Sequence, residues 1–316
     1  MNSPRRYRLA AMLALAIGMS GMPAFVLAES PASIQIGTAE SVRTLRVDGE
    51  VVFDTAGKVV EHRILTPGLP DAIRAMGEKT LADLQFVPVK LDGRPVNART
   101  FARMTYVARQ QDAAQGDGYS VSMEYIRFYD GRLNREGGPS PVAERDARAK
   151  HPGAYERGRA IHYPGALERV GISGAVLLHV LLRPDGTVER VQPYQSALFD
   201  VKGKPALMER ARAMFENEAK RAVASWRFAP PKRPEDAVDD SWRIGAIPVL
   251  FAMEDRRGLD GAGKWRIESR GARHVPSWGV SLDRGTLVGV SDLDGSEGLL
   301  PVRDQTFRLK SPPAKQ

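Results

Sequence analysis

Apolar residues run almost unbroken from Ala175 to Leu182, stop at Arg183-Pro184-Asp185-Gly186, and resume in Thr187–Tyr194. Two such runs around a four-residue turn read as an antiparallel hairpin. Pro184 presets φ at the second turn position, and Gly186 accepts the left-handed backbone that closes it, so Asp185 and Gly186 are the turn residues. Past the hairpin the period changes. Met208, Ala211, Phe215, Ala219, Ala222 and Trp226 recur every three or four residues, which predicts a helix with one apolar stripe. Arg210, Arg212, Lys220 and Arg221 fall mostly off it. A hairpin alone is marginal, and this helix is its expected cover. The exit, Trp226-Arg227-Phe228-Ala229-Pro230, supplies Trp226 and Phe228 as core anchors beside Phe215. Trp242–Met253 reads as a third strand, and Pro248 within it argues for an edge or a bulge.

The same order recurs, shorter and worn, over residues 34–108. Val47–Phe53 and Lys58–Leu65 flank Asp54-Thr55-Ala56-Gly57. Pro70 suits a helix start, and Ile73, Met76, Thr80 and Leu84 share a face with Leu81 beside it. Leu84-Gln85-Phe86-Val87-Pro88 lines up with the later exit, and Phe101–Val107 returns as a strand. A generic ββαβ unit without common ancestry is the alternative to a repeat. Gln110–Gly118 reads as a linker. Tyr119–Phe128 alternates with Val121, Met123 and Tyr125 on one face, and a short helix is expected near Val142–Lys150. Beyond Met253 come short candidate strands at Trp265–Ser269, Thr286–Val290 and Thr306–Lys310, then a polar tail.

Tyr163-Pro164, Gly174-x-Val176, Asp185-Gly186-x-Val188, Met214-Phe215-Glu216-x-Glu218-x-Lys220-x-Ala222 and Trp226-Arg227-Phe228-x-Pro230, closed by Val249-Leu250-Phe251, resemble the TonB C-terminal domain. The resemblance covers residues 161–253 of the 316, and residues 34–108 are its degenerate copy. Val201–Ala213 is extra to the pattern, and the long Pro-rich spacer of the full family plan is missing. The resemblance implies a non-catalytic protein-binding role, in which the closing strand accepts a segment of an outer-membrane receptor. On that basis Glu168, Ile247, Val249, Leu250 and Phe251 are the expected partner-binding residues.

Composition narrows the setting. Arg5, Arg6 and Arg8 precede an apolar run from Leu9, and Val26-Leu27-Ala28 is a small-residue cleavage site, so residues 1–28 read as an export signal. An uncleaved inner-membrane anchor through residues 9–28 is the alternative. The net charge is +8, and loss of the leader removes three arginines and no acid, leaving +5. The basic residues are interspersed with acids, a mixed surface that does not point to nucleic acid. There is no cysteine, which excludes disulfides and thiol chemistry. None of His62, His151, His162, His179 and His274 stands in a metal-ligand spacing, and no metal or cofactor is expected. His179 falls mid-strand and reads as a hydrogen-bonded core histidine. Asp292-Leu293-Asp294-Gly295 lacks the calcium-loop register.

The expected fold is α+β. It comprises a leader (1–28), a degenerate module (34–108), a linker and irregular segment (109–160), a second module (161–253) and a β-rich extension (254–316). Each module is an antiparallel sheet of about three strands with helix on one face. The expected partner is an envelope protein in the periplasm, or a second copy through an edge strand. A small-ligand or hydrolytic envelope protein using the extension is the rival.

Overall fold

The computed structural model describes residues 33–111, 118–129, 155–230, 240–253, 262–278, 289–292, 300–301 and 307–311. In chain order they form β1 (Ser33–Ile36), β2 (Glu40–Phe53), β3 (Val59–Ile64), α1 (Asp71–Ala82), β4 (Lys90–Leu91), β5 (Arg94–Pro95) and β6 (Ala98–Gln110). Then follow β7 (Tyr119–Tyr129), β8 (Tyr155–Arg157), α2 (Gly165–Glu168), β9 (Ser173–Leu182), β10 (Val188–Phe199) and α3 (Pro205–Val223). The last are β11 (Arg227–Phe228), β12 (Ile244–Phe251), β13 (Trp265–Arg270), β14 (Arg273–Pro276) and β15 (Leu300–Pro301). The leader and the helix expected near Val142–Lys150 lie outside the described residues, as does most of the strand expected at Thr286–Val290. No helix of the described residues is long and apolar enough to cross a membrane.

The fold is α+β and sheet-rich, and every described strand pairing is antiparallel. One nine-stranded sheet runs β15-β12-β9-β10-β13-β2-β6-β7, with β3 also on β2. Around α3 the order is β12-β9-β10; around α1 it is β6-β2-β3. In both, the first strand of the hairpin is central and the third joins its free side.

Strict alternation decides what each face carries. In β2, Leu45, Val47, Val51 and Phe53 turn toward α1 and join Ile73, Leu81, Leu84 and Phe86. In β9, Val176, Leu178, Val180 and Leu182 turn toward α3 and join Phe215, Ala219, Trp226 and Phe228. Arg212 departs from the expected polar face of α3. It is buried, and its Nη1 donates to Ser269 Oγ of β13 at 3.1 Å.

The two halves meet through β13, which pairs with β10 at Ala197–Phe199 and with β2 at Glu40–Leu45. The first strand of the C-terminal extension thus sits between the halves, and not on the outside of the second. Its sequence does not mark it as an inner strand. Arg266, Glu268 and Arg270 alternate with Ile267 and Ser269, a pattern suited to an exposed edge. Here the charged side is buried, and the charges satisfy one another.

Arg270 is wholly buried. It donates to Glu268 (2.8 Å), Glu124 (2.6 Å), Glu40 (3.4 Å) and the Ser291 hydroxyl (2.6 Å). Glu268, also wholly buried, accepts from Arg266 (2.7 Å), Thr44 (2.8 Å) and Ser291 (2.6 Å). Burial opposes ionisation of Glu268, but the Arg266 and Arg270 guanidiniums outweigh it and hold the carboxyl well below its usual range.

Glu124 reaches this network through a bulge. The β6–β7 register passes from Thr105–Tyr125 to Tyr106–Met123, leaving Glu124 without a partner in the ladder. The bulge overturns the expected alternation. Val121 and Met123 pack on the α1 side with Ile126 and Phe128, while Glu124 and Tyr125 both meet Arg273. Gln111 N–H, just past β6, donates to the Gly118 carbonyl, just before β7, at 3.0 Å. β6 and β7 are thus antiparallel neighbours in one sheet, where a linker between separate units was expected.

Removing one member of a buried ion network leaves its partners charged and unpaired. Arg270→Met should therefore cost about 3–5 kcal/mol in urea unfolding. Glu268→Gln in the same chain should recover part of that loss. A single-variant cost below about 1 kcal/mol would show that the seam carries no weight.

Candidate binding edge

β12 is paired with β9 along its whole length, from Ile244–Leu181 to Phe251–Gly174, without a register shift. Pro248 therefore makes no bulge. On the other side β15 reaches only Gly245 and Ala246. From Ile247 to Phe251 that side carries no strand among the described residues.

Ile247, Val249 and Phe251 are buried in the core under α3, and Phe251 stacks on Phe215 at 4.3 Å. Leu250 turns the opposite way, against the cluster of Ala246, Leu177 and Tyr194. This changes their expected role. A strand added here would meet backbone groups, and Ile247, Val249 and Phe251 would hold that backbone in place from beneath. A proline whose nitrogen faced β9 would remove a ladder donor from a fully paired stretch, so position 248 suits an outward-facing nitrogen. Residues 246 and 250 share that orientation by the two-residue period of a strand.

The segment before β9 flanks the same strand. Tyr163 donates its hydroxyl to the Ile172 carbonyl at 2.5 Å and sets its ring against Phe215 and Phe251 at 5.7 and 5.8 Å. Pro164 leads into α2, whose last residue, Glu168, is exposed. The structure thus brings the Tyr163 ring to the Phe251 end of β12.

The turn and exit are locked together. Gly186 has φ of 83°, and a Cβ there would lie 1.8 Å from the Phe228 carbonyl oxygen. Phe228 N–H donates to the Gly186 carbonyl at 2.8 Å. The other half repeats this contact: a Cβ on Gly57 would lie 1.9 Å from the Phe86 oxygen, and Phe86 N–H donates to the Gly57 carbonyl at 2.8 Å. Asp185 braces its turn by accepting from the Thr187 hydroxyl (2.7 Å) and N–H (3.0 Å), bonds that lower its pKa. Trp226 and Phe228 are buried, and Trp226 Nε1–H donates to the Arg159 carbonyl at 2.8 Å.

His179 differs from its expected state. It lies on the face of β9 away from α3, wholly buried beside Tyr194 and Trp278, with ring centroids 5.2 and 6.3 Å away. Among the described residues neither ring nitrogen has a hydrogen-bond partner. Burial lowers its pKa to about 4 and keeps the imidazole neutral. Among the described residues no cluster of acids and histidines could hold a metal ion. The seam acids Glu40, Glu124 and Glu268 each face arginines, an arrangement that offers no free base or nucleophile. Sequence reasoning missed this seam. Its members are dispersed from Glu40 to Ser291, and no local spacing marks them.

The His179 state gives a pH prediction. Its folded pKa lies below the ordinary 6.5, so the unfolded chain binds the proton more tightly. The stability at stake, about 3 kcal/mol, is present above pH 6.5 and lost as pH falls toward 4. His179→Phe should flatten the dependence of the thermal midpoint on pH across that window. An unchanged slope would place the titrating group elsewhere.

No protein-family model, no curated protein and no solved structure matches this chain.

Proposed function

We propose that this chain is an exported, non-catalytic protein-binding module of the TonB C-terminal kind. It takes an extended segment of an envelope or outer-membrane protein as an added strand on β12. The observation that carries this reading is the outer side of β12 from Ile247 to Phe251. Its inner side is fully laddered, its side chains are packed beneath, and no strand covers it among the described residues. Backbone pairing to such an edge gives affinity, and alternate side chains of the incoming segment give selectivity.

Two further features support the kinship. The strand order third-first-second occurs around both helices, and the same glycine-to-phenylalanine contact joins turn to exit in each half. These fit a two-module arrangement with the N-terminal copy worn. β15 would then be a neighbour that shares the edge with the partner, since it takes only Gly245 and Ala246.

Leu250→Pro tests the edge. It removes an outward donor two residues from Pro248 and should leave the β9 ladder standing. Titrated with peptides from the exposed segments of outer-membrane receptors, the native protein should gain amide protection at Leu250, whose N–H faces outward, while the amides of Ile247, Val249 and Phe251 stay protected by the β9 ladder. The variant should fold and lose the binding. Protection of another surface, or binding that survives in a folded variant, would sink the proposal.

Export has its own check. N-terminal sequencing of the protein from a periplasmic fraction should begin at Glu29. Recovery of residues 1–28 in the inner membrane would replace the free module with an anchored one.

A further inference from the structure

The two exit strands are each covered on their outer side, and by unrelated parts of the chain. In the first half, Phe307–Lys310 lies along Gln85–Val87. Val87 N–H donates to the Arg308 carbonyl (2.7 Å), Lys310 N–H to the Gln85 carbonyl (2.8 Å), and Leu309 bridges Phe86. In the second half, β8 lies along β11, with Arg157 opposite Arg227 and Tyr155 opposite Phe228. One cover comes from far downstream of its half and the other from just upstream. Their sequences, Phe-Arg-Leu-Lys and Tyr-Glu-Arg, share only a leading aromatic. Each sets that aromatic on the core: Phe307 against Phe53 at 5.9 Å, Tyr155 against Trp226 and Phe228 at 4.8 and 6.3 Å. The common element is the exit segment after the helix, whose outer backbone side pairs with extended chain in both halves.

The two covers are held unequally. Phe307 is 8 % exposed and belongs to the core cluster around α1. Tyr155 is 39 % exposed, and all three residues of β8 lie at the surface. The receiving side beneath β8 is specific nonetheless. Arg227 pairs with Glu156 at 3.3 Å. A Cβ on Gly158 would lie 2.1 Å from the Trp226 ring, so only glycine fits there. Ser225 Oγ accepts the Arg159 N–H at 2.9 Å, and Trp226 Nε1–H meets the Arg159 carbonyl.

We propose that the Trp226–Phe228 exit is a second docking site, separate from β12, for an extended segment of a partner protein. The segment it fits carries an aromatic residue, then directly a carboxylate, with glycine two positions further on. In the free protein, Tyr155–Arg159 occupies the site in cis. A tethered segment meets its site at an effective concentration that a free peptide does not match, so the native chain masks it. A partner reaches the site by displacing β8, none of whose own side chains is buried.

The test uses the full chain and a labelled peptide of residues 153–161. Tyr155→Ala with Glu156→Ala weakens the cis segment and leaves Trp226, Arg227 and Ser225 in place. That variant should bind the peptide at least about tenfold more tightly than the native chain does, as the removal of a competing tethered segment requires. The same peptide carrying Gly158→Val should not bind. A folded variant that ignores the peptide, or one that takes both peptides equally, overturns the proposal. If the variant does not fold, amide exchange on the native chain decides. Amides 155–159 should exchange faster than those of β9 through a local opening; exchange as slow as β9 would make the segment a fixed part of the core and end the proposal.

Discussion

Arg270 has no access to solvent, and a buried guanidinium is tolerable only where carboxylates surround it. That constraint organises the centre of the molecule. Glu268 comes from two residues earlier on the same strand, Glu40 from the start of β2, and Glu124 from a bulge in β7. Each carboxylate therefore ties Arg270 to a different length of chain. The opposing sides of β13 belong to different halves of the sheet, so satisfying this one arginine joins the halves. Arg266 completes the arrangement by bonding Glu268 and lying over the Phe199 ring at 3.8 Å, which links the charged seam to the apolar cluster behind β9 and β10.

A second constraint acts within each half. The turn glycine approaches the exit phenylalanine so closely that no side chain fits between them, and one backbone hydrogen bond closes the gap. The helix is thereby fixed at both ends: its stripe packs on the sheet, and its exit is sewn to the turn. The exit strand then has one side committed and the other open. Both halves resolve that open side by taking in extended chain, as an uncovered edge invites. The β12 edge poses the same physical question at the end of the sheet, with β15 as a partial answer.

These two kinds of edge would select partners differently. Along β12 the side chains beneath are ordinary core residues, so the proposed incoming strand would be recognised mainly by its backbone. At Trp226 the proposed recognition would be chemical as well, through an aromatic seat, a cation at Arg227, an indole donor and a gap sized for glycine. A protein holding both would pair an undemanding edge with a discriminating one.

Local pattern determined a good deal by itself. Pro184-Asp185-Gly186 specified the turn, because few residues tolerate its backbone. The three-and-four spacing from Met208 to Ala222 specified which side of α3 is buried, and Trp226 and Phe228 were legible as core anchors. The closing strand was legible too, with Ile247, Val249 and Phe251 on one side and Leu250 on the other. Periodicity reports which side chains face a core; it does not report what lies beside a strand. The position of β13, the bulge that aims Glu124, the burial of Arg212 and the unpartnered His179 were decided only by the tertiary structure. Each depends on groups brought together from distant parts of the chain. An alternating charged strand reads as solvent-exposed until folding supplies, on its other side, the opposite charges that make its burial possible.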